Sequence, residues 1–504
     1  MPKTTRRTFL KATAATAFAA PTVAGTRASA RILGANDAVR VAVVGMGRGQ
    51  THIRMVLGTD GFELAALCDV DPARLGARIK QLASDGHTVA GELDFRKLLD
   101  DRNIDAITIA TPNHWHSPMG IMACQAGKDV YVEKPVSHNV WEGRQLVNAA
   151  RKYGRIVQTG TQARANPDVI EAVEWIRGGG LGEIRYARGL CYKPRPPIGK
   201  GGGGEIPPGL DYDLWCGPAP LELPLRRKRL HYDWHWIYDY GNGDLGNQGI
   251  HEMDMARWFL GYDGLPRRVF SIGGRLGYND DGQTPNTQLV YHEYDGPPLV
   301  FEVRGLPKSK EHQDGRWGKS MDQPFGFDGG RAIGVIVTCE GGTLVLEEGG
   351  YKLIAYDKDG KPIRSFHKPH PKFGLGWGKG DCYVFLNWLK AIRSRKHTDL
   401  EADILEGHIS TALCHLGMIS HRVGVAKSGE EIAESLRDYP IAADRFESMN
   451  EHLTRNEVDV SKPAVTHGPW LSVDRKAERF VNNDRANALL TRDYREPYVI
   501  REVT

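Results

Sequence analysis

Apolar and polar positions along the first third of the chain follow two different periods. Short, almost unbroken apolar runs are typical of buried parallel strands, and the segments between them have the spacing of helices. The runs cover residues 39–44, 62–67, 106–110, 129–132 and 156–159. The helical segments cover 51–57, 117–126 and 141–153, with a further helix starting at Pro72. This rhythm predicts a doubly wound α/β domain of the Rossmann type, with a parallel sheet, over residues 38–160.

The pattern changes after residue 160. Strand-like segments separated by Gly and Asp turns cover 184–193, 269–278, 288–294, 299–306 and 334–365, and helices are predicted at 383–394 and 406–423. We predict an α+β domain over 161–435, with an open, mainly antiparallel sheet whose face covers the mouth of the first domain. Residues 436–504 are polar and rich in Arg and Asp. They are expected to form an arm along the core or along a neighbouring subunit.

Composition narrows the class of protein. The 66 basic and 62 acidic residues leave a net charge of +4, and the one dense basic run is the stretch 226–229. This balance argues against nucleic acid as a partner. The seven cysteines are scattered without CxxC spacing. They are expected to be buried thiols, and no metal site is predicted.

The first thirty residues have the features of an export signal. Arg6 and Arg7 precede a mildly apolar run from Ala12 to Val23, and small residues follow up to Ala30. Paired arginines, an apolar run and small residues in this order are typical of a twin-arginine signal peptide, although a basic helix start is the alternative. The run is too short for a stable membrane anchor. We therefore expect cleavage after Ala30 and folded delivery by the twin-arginine export machinery to the periplasm or outside the cell.

A glycine turn follows the first predicted strand. Gly45 permits a tight turn, and Gly47 allows backbone amides to approach a pyrophosphate at the start of a helix. The usual third glycine position holds Gln50, and Gly49 stands one residue early. By itself, this broken GxGxxG pattern is as consistent with a plain loop as with a cofactor site.

The end of the second predicted strand adds an acidic signal. Asp69 lies about twenty residues after the glycine turn, where a carboxylate can accept hydrogen bonds from ribose hydroxyls and repel a 2′-phosphate. Asp69 therefore favours NAD(H), and NADP(H) is the second candidate cofactor. Asp71 is better placed to be the N-cap of the helix from Pro72.

Further motifs stand at strand ends, where ligands bind in such sheets. Thr111-Pro112-Asn113-His114-Trp115-His116 follows one strand, and Glu133-Lys134-Pro135 follows the next. Together with the glycine turn, Gly160-Thr161-Gln162 and the segment 241–254, they resemble the glucose-fructose oxidoreductase, inositol dehydrogenase and rhizopine catabolism family, Gfo/Idh/MocA. The resemblance covers roughly residues 38 to 260.

The resemblance implies a nicotinamide cofactor and assigns residues to it. The implied cofactor contacts are Gly45, Gly47, Arg48, Gly49, Asp69, Thr111, Pro112, Asn113, His116, Glu133 and Lys134. It also implies catalytic roles: Lys134 contacts the reacting hydroxyl and His251 moves its proton. These roles suit alcohol oxidation, because a neutral imidazole can accept the proton while an ammonium stabilises the alkoxide.

Two neighbours of His251 modify this catalytic set. Asn247 precedes it by four residues and is expected to face the same way on a helix, as a third catalytic residue. Inositol dehydrogenase-like members usually have Asp at this position, and Asn carries no charge. Asp254 is expected either to orient the imidazole of His251 or to be an exposed helix carboxylate.

The expected substrate contacts are Gln162, Tyr238, Asn247 and His251. Tyr238 belongs to an aromatic cluster before the catalytic segment, which is more typical of a core than of a sugar platform. An exposed open sheet would favour a homo-oligomer.

Three functions are compatible with these residues. The first is an NAD(P)-dependent oxidoreductase acting on the CH–OH group of a sugar, cyclitol or derivative, with a retained cofactor because no free nicotinamide pool exists outside the cytoplasm. The second is an NAD-dependent glycoside hydrolase or lyase that works through a transient keto-sugar. In the family that the chain resembles, NAD-dependent glycosidases carry a Thr-His-Gly type motif where this chain has residues 249–252, and this difference favours the first function. The third is a sugar-binding protein.

Overall fold

The computed structural model describes residues 38–223, 225–313, 332–347, 352–366 and 377–504. The expected signal peptide, residues 1–30, lies outside the described residues. The described chain forms two sheets, one of six strands and one of twelve.

The first sheet is parallel and has strand order β3-β2-β1-β4-β5-β6. Its strands are β1 (Val39–Val44), β2 (Phe62–Cys68), β3 (Ala90–Glu92), β4 (Ala106–Ile109), β5 (Asp129–Val132) and β6 (Val157–Thr159). Its helices are α1 (Gly49–Gly58), α2 (Pro72–Ser84), α3 (Phe95–Asp100), α4 (His116–Gln125) and α5 (Val140–Lys152). The predicted doubly wound Rossmann fold is confirmed. Strand β3 was missed, since its three residues are largely exposed and carry no apolar run.

Burial on both sides explains why the central strands read as continuous apolar runs. Every residue of β4 and β5 is buried. Local signals define the helix starts: Asp71 caps α2 by accepting from two backbone amides, and Asn139 caps α5 by accepting from the amide of Glu142.

The second sheet is mixed and mainly antiparallel, as predicted. Its order is β14-β13-β12-β11-β7-β10-β9-β8-β16-β15, with β17 pairing to β8 and β18, and its one parallel pair among the described strands is β10 with β7. The strands are β7 (Ile184–Tyr192), β8 (Arg268–Gly274), β9 (Thr287–Glu293), β10 (Leu299–Arg304), β11 (Ile333–Cys339), β12 (Gly342–Glu347), β13 (Lys352–Asp357), β14 (Pro362–Phe366), β15 (Val425–Lys427), β16 (Val465–His467), β17 (Leu471–Asp474) and β18 (Arg479–Phe480).

Helix α6 (Pro167–Arg177) precedes this sheet, and a long excursion separates β7 from β8. The excursion contains α7 (Tyr212–Cys216), α8 (Leu230–Asp233), α9 (Gly243–Asn247) and α10 (Gly249–Leu260). The later helices are α11 (Trp377–Ser394), α12 (Ile404–Arg422), α13 (Gly429–Ser435), α14 (Pro440–Arg455) and α15 (Asp484–Asn487).

Both faces of the sheet are covered over strands β8 to β10. Helices α10 and α12 pack on one face, where Val269, Val290 and Phe301 are buried. Helices α13 and α14 pack on the other face against Phe270 and Tyr291. The exposed open face that was expected to favour a homo-oligomer is therefore absent over these three strands.

The region predicted as an arm, 436–504, is more structured than its polar composition indicated. It contributes α14 to the covering layer, and strands β16 and β17 pair with β8. Beyond them the chain crosses to the first domain, where Glu478 binds Arg144 and the amide of Val503 donates to Gln145 Oε1 at 2.7 Å. Of the two expectations, these contacts correspond to an arm along its own core.

Helix α11 also returns to the first domain. Phe385 and Trp388 are buried against Tyr131 of β5, with ring centroids 4.6 and 5.8 Å from it. The two domains therefore share a packed interface behind the cavity. In the described part of the chain, no helix has both the length and the apolar character needed to cross a bilayer.

Candidate active site

A cavity of about 240 Å³ opens at the carboxyl edge of the first sheet. One wall consists of the glycine turn and the residues that follow β2, β4 and β5. The other wall comes from the excursion between β7 and β8, through Leu214, Trp215, His231, Trp234, His235 and Asn247. The expectation that the face of the second sheet covers this mouth is wrong, because helices and loops of the excursion lie in between.

The glycine turn is tightly packed despite its irregular spacing. Gly45 has φ +93°, and a Cβ there would lie 2.5 Å from the carbonyl oxygen of Ala110. A Cβ on Gly49 would lie 3.1 Å from Val43 Cγ1, so this glycine provides the close helix-to-strand contact expected of the third position. Gly47 lines the cavity.

Asp69 lies beside this turn and holds it. Its Oδ2 accepts from the backbone amide of Met46 at 2.7 Å, and its Oδ1 accepts from the amide of Asp71 at 3.0 Å. The carboxylate also lines the cavity, so its remaining lone pairs are available to ribose hydroxyls. Asp71 is the N-cap of α2, as predicted, and its Oδ2 lies 2.8 Å from His231 Nε2.

The loop after β4 brings unsatisfied polar atoms to the same cavity. Thr111, Pro112 and Asn113 line it. Thr111 Oγ1 and Asn113 Oδ1 are buried and have no hydrogen-bond partner in the described part of the chain. Buried polar atoms are normally paired, so two such atoms at one cavity indicate the position of a polar ligand.

His116 has a different environment from a simple cofactor contact. Its Nδ1 lies 2.6 Å from the carbonyl oxygen of Pro135 and its Nε2 lies 2.7 Å from that of Thr111. Burial lowers the pKa of its imidazole. His116 lines the cavity, but both ring nitrogens are used to hold the two strand-end loops together. A direct hydrogen bond from this ring to a cofactor is therefore not supported.

Arg48, whose side chain is 40% exposed, forms an ionic cluster with the buried carboxylates of Glu133 and Asp381. Arg48 Nε donates to Glu133 Oε1 at 3.1 Å and its NH2 donates to Asp381 Oδ1 at 2.9 Å. His52, which the sequence did not single out, lies 3.1 Å from the same Glu133 oxygen. Burial would raise the pKa of Glu133, but Arg48 and His52 bring it well below its usual range. The cluster joins the glycine turn to the residue that precedes Lys134.

Lys134 and Asn247 meet across the domain boundary. Lys134 Nζ donates to the backbone carbonyl of Asn247 at 2.9 Å and lies 3.5 Å from its Oδ1. Burial lowers the pKa of Lys134, and Glu133 partly restores it. Burial also lowers the pKa of His251 well below its usual value, and the ammonium of Lys134 lowers it further. The site thus combines a buried ammonium with an imidazole that is neutral at pH 7.

The catalytic segment differs in detail from the predicted single helix. Helix α9 ends at Asn247, Gln248 intervenes, and α10 begins at Gly249, so Asn247 and His251 belong to different helices. Both interpretations of Asp254 are wrong. Its carboxylate is buried, accepts from Arg164 Nε at 2.8 and 2.9 Å and from Ser410 Oγ at 2.6 Å.

Two expected substrate contacts lie away from the cavity. Gln162 is buried, with its Nε2 3.5 Å from the Tyr131 hydroxyl. The Tyr238 ring lies under the guanidinium of Arg422, 4.6 Å from centroid to Cζ, and is partly buried. Neither residue lines the cavity, and His251 is not among its lining residues either, so Asn247 is the one predicted substrate contact that lines it. Trp234 of the same aromatic cluster does line the cavity. Its ring stacks on His235, with ring centroids 3.7 Å apart.

Lys193 was missed, although it directly follows β7. Its Nζ donates to Gln248 Oε1 at 3.0 Å, and Gln248 Nε2 donates to Glu252 Oε1 at 3.3 Å. The signal that could have identified Lys193 is the one used for Lys134, a lysine at the end of a strand.

The described residues fit a dinucleotide. Gly45 and Gly47 of the glycine turn line the cavity where a pyrophosphate would lie, Asp69 can accept from ribose hydroxyls, and Thr111 and Asn113 offer unpaired atoms. Within the described ranges, no group of three or more His, Cys, Asp or Glu side chains could hold a metal ion.

Comparison with known proteins agrees with this fit. Residues 39–161 match the model of the oxidoreductase family GFO_IDH_MocA, NAD-binding Rossmann fold, and residues 202–323 match the family's C-terminal alpha/beta domain. The first domain is thus an NAD-binding Rossmann domain, and the predicted cofactor class is confirmed.

Individual relatives are more distant. A glycosyl hydrolase family 109 protein of Shewanella pealeana is 31% identical over 156 residues, which are 30% of this chain and 34% of that protein. The oxidoreductase YdgJ of Escherichia coli is 31% identical over 186 residues, 36% of this chain and 51% of that protein. The matches thus span about a third to a half of these relatives' lengths.

A solved structure shares the fold over a longer stretch. It is the WlbA dehydrogenase from Bordetella pertussis in complex with NADH and UDP-GlcNAcA, at 20% identity and a TM-score of 0.52, covering 75% of this chain and 94% of that one. Both family models match in the expected order and the described fold contains both domains, so residues 39–161 and 202–323 are similar to the two domains of the Gfo/Idh/MocA oxidoreductase family.

Proposed function

We propose that the protein is an NAD(P)-dependent oxidoreductase that oxidises a CH–OH group of a sugar, cyclitol or related compound. The observation that carries this proposal is the pairing of Lys134 with Asn247 at the cavity edge, together with the nearby, partly buried imidazole of His251, whose pKa is lowered well below its usual value. A bound nicotinamide would supply the hydride acceptor. The protein must then remove one proton from the hydroxyl and stabilise the alkoxide that develops.

The roles that we propose for His251 and Lys134 follow from their charges at neutral pH. His251 is uncharged at neutral pH, because burial and the neighbouring ammonium lower its pKa, so it can accept the hydroxyl proton. Lys134 retains its proton and places a positive charge where the alkoxide forms. Asn247 accepts the Lys134 hydrogen bond through its main-chain oxygen and so orients the ammonium.

The cofactor would lie along the wall formed by the first domain. Asp69 would accept from its ribose, the amides of the glycine turn would face its pyrophosphate, and Thr111 and Asn113 would pair with polar groups nearer Lys134. Glu133 and Arg48 would fix the position of this wall. The fold of a dehydrogenase bound to NADH and a sugar nucleotide supports a carbohydrate-like substrate in this arrangement.

A second candidate is an NAD-dependent glycoside hydrolase or lyase that works through a transient keto-sugar. It is favoured by the similarity of 156 residues of this chain to proteins named as members of glycosyl hydrolase family 109. In this reaction the cofactor returns to its starting state within each turnover. The two candidates therefore differ in whether the substrate shows net oxidation.

We also propose export by the twin-arginine route and retention of the cofactor during turnover, based on the residue 1–30 pattern alone. Homo-oligomer formation is a further proposal. It now rests on the edge strand β14, whose first four residues are exposed.

The experiment uses the full chain purified without added nucleotide. Denaturation releases any bound cofactor for identification, and the undenatured protein is mixed with sugars while the absorbance of reduced nicotinamide is recorded. Reduction by one sugar and reoxidation by a keto-sugar is the expected result. Cleavage of a glycoside without net reduction would select the second candidate, and failure to bind either NAD or NADP would refute both.

A further inference from the structure

We infer that the substrate carries a carboxylate and that Lys193 binds it. This inference rests on the proposed function, since it names the substrate class of the same site. Lys193 lies at the carboxyl end of β7, on the sheet face that α10 covers. Its partner Gln248 directly follows Asn247, the residue that Lys134 contacts.

Lys134 and Lys193 share an unusual feature: both ammonium groups donate hydrogen bonds to amide oxygens and not to carboxylates. Lys134 bonds to the oxygens of Asn247, and Lys193 bonds to Oε1 of Gln248. No ion pair with Asp or Glu is found for either ammonium in the described part of the chain. Neutral amide oxygens, from the main chain or from side chains, accept from an ammonium without supplying a counter-charge.

Nearby carboxyl groups do not compensate for these charges. Asp244 is committed to Arg195, whose NH2 and Nε lie 3.0 and 3.3 Å from its Oδ1. Glu252 contacts Gln248 on the side away from Lys193, and burial raises its pKa to about 8, so it is mostly protonated at pH 7. Its charge is therefore largely absent at neutral pH.

The surplus of positive charge indicates the charge of the ligand. One ammonium, Lys134, is required at the alkoxide. Lys193 does not line the cavity itself but is held beside it by Gln248, which directly follows the lining residue Asn247, and so provides a second positive charge at its edge. Lys193 is only partly buried, so water solvates its ammonium until a ligand covers it, and covering that charge is favourable only if the ligand supplies a counter-ion. A single surplus charge matches a monoanion such as a carboxylate, and an ammonium with an adjacent amide offers the donors that a carboxylate accepts.

Binding measurements can test this directly. The protein holding its oxidised nucleotide is titrated calorimetrically with glucuronate and with glucose, which differ only in the carboxylate at C6. We expect glucuronate to bind more tightly to the unchanged protein. Lys193→Met should weaken the binding of glucuronate by about tenfold or more, because a hydrogen bond to a charged group is lost. The affinity for glucose should not change.

Two further variants control this comparison. Lys200→Met removes an ammonium from an exposed position on the same loop and should change neither affinity. Gln248→Glu keeps Lys193 but gives it a carboxylate partner, so the affinity for glucuronate should again fall. This variant tests the inference even if Lys193→Met does not fold. Equal binding of both sugars by the unchanged protein, or a preference for glucuronate that survives Lys193→Met and Gln248→Glu, would overturn the inference.

The same samples separate this inference from the proposed function. Reduction of the bound nucleotide is followed by absorbance in each titration. Carboxylate-selective binding without any reduction would remove the proposed oxidation and keep the anionic subsite. Reduction by glucose with no advantage for glucuronate would keep the oxidation and remove the subsite.

Discussion

Lys134 Nζ lies 2.9 Å from the carbonyl oxygen of Asn247, and this hydrogen bond joins the end of β5 to the end of α9. The main-chain oxygen provides this contact, while the side-chain Oδ1 is 3.5 Å away. A carboxylate at position 247 is thus not needed to orient the ammonium. The main partner of the lysine is a neutral peptide group, so burial lowers the pKa of Lys134 and the nearby Glu133 only partly restores it.

Replacing Lys134 by Met should lower kcat by about two to three orders of magnitude, because the developing alkoxide loses its positive partner. Nucleotide binding should persist, since Asp69 and the glycine turn are untouched. Stopped-flow reduction of the bound nucleotide and equilibrium binding of NAD would measure the two effects. Lys134→Arg is the matched control, as it keeps the charge but alters its geometry. Wild-type turnover in Lys134→Met would remove the assigned role.

The lowered pKa of His251 predicts how kcat/KM depends on pH. Its folded-state pKa lies well below the usual value of about 6.5, so the imidazole stays neutral and able to accept a proton until the pH falls through that lower pKa. The acidic limb of the kcat/KM profile should therefore begin well below pH 6.5. His251→Ala should reduce the rate about 10²- to 10⁴-fold, and His251→Gln, which keeps polarity without basicity, should be equally impaired. An acidic limb centred near pH 6.5 would contradict this assignment.

Sequence patterns were sufficient for most of the fold, for a specific reason. Buried parallel strands are apolar on both faces, so β1 and β5 were located to the residue, whereas the exposed three-residue β3 left no pattern. Motifs at strand ends were also informative, because β4 and β5 deliver Thr111, Asn113 and Lys134 to one cavity.

Sequence patterns did not predict the path of the excursion between β7 and β8. It has no regular period, and its path is set by contacts far apart in the chain, such as those that bring Trp234 to the cavity and leave Tyr238 under Arg422. Asp254 was misassigned for a similar reason. Its partners Arg164 and Ser410 are 90 and 156 residues away, and no local spacing indicates them.

Asp69 supports both the cofactor pocket and the glycine turn, so two substitutions at this position should differ. Asp69→Ala removes the acceptor for the Met46 amide as well as the charge, and we expect NAD affinity to fall by about tenfold or more. Affinity for NADP should fall less, because repulsion of its 2′-phosphate disappears. Asp69→Asn can still accept from Met46 and should retain more NAD affinity. Fluorescence titration with both nucleotides measures this order, and an unchanged NAD to NADP ratio in both variants would reassign the carboxylate.

The ion pair of Asp254 with Arg164 should stabilise the fold and leave the chemistry unchanged. Both side chains are almost fully buried, so Asp254→Asn leaves the Arg164 guanidinium with Glu406 alone, at 3.2 Å and near the surface. Loss of one partner of a buried pair costs about 3–5 kcal/mol, which denaturant unfolding can measure. Glu451→Gln, which breaks a surface pair at 3.6 Å, should change the free energy of unfolding by less than about 0.5 kcal/mol. The pH profile of kcat/KM should be unaltered in both variants. A displaced acidic limb in Asp254→Asn would instead mean that this carboxylate acts on His251, three residues earlier on the same helix.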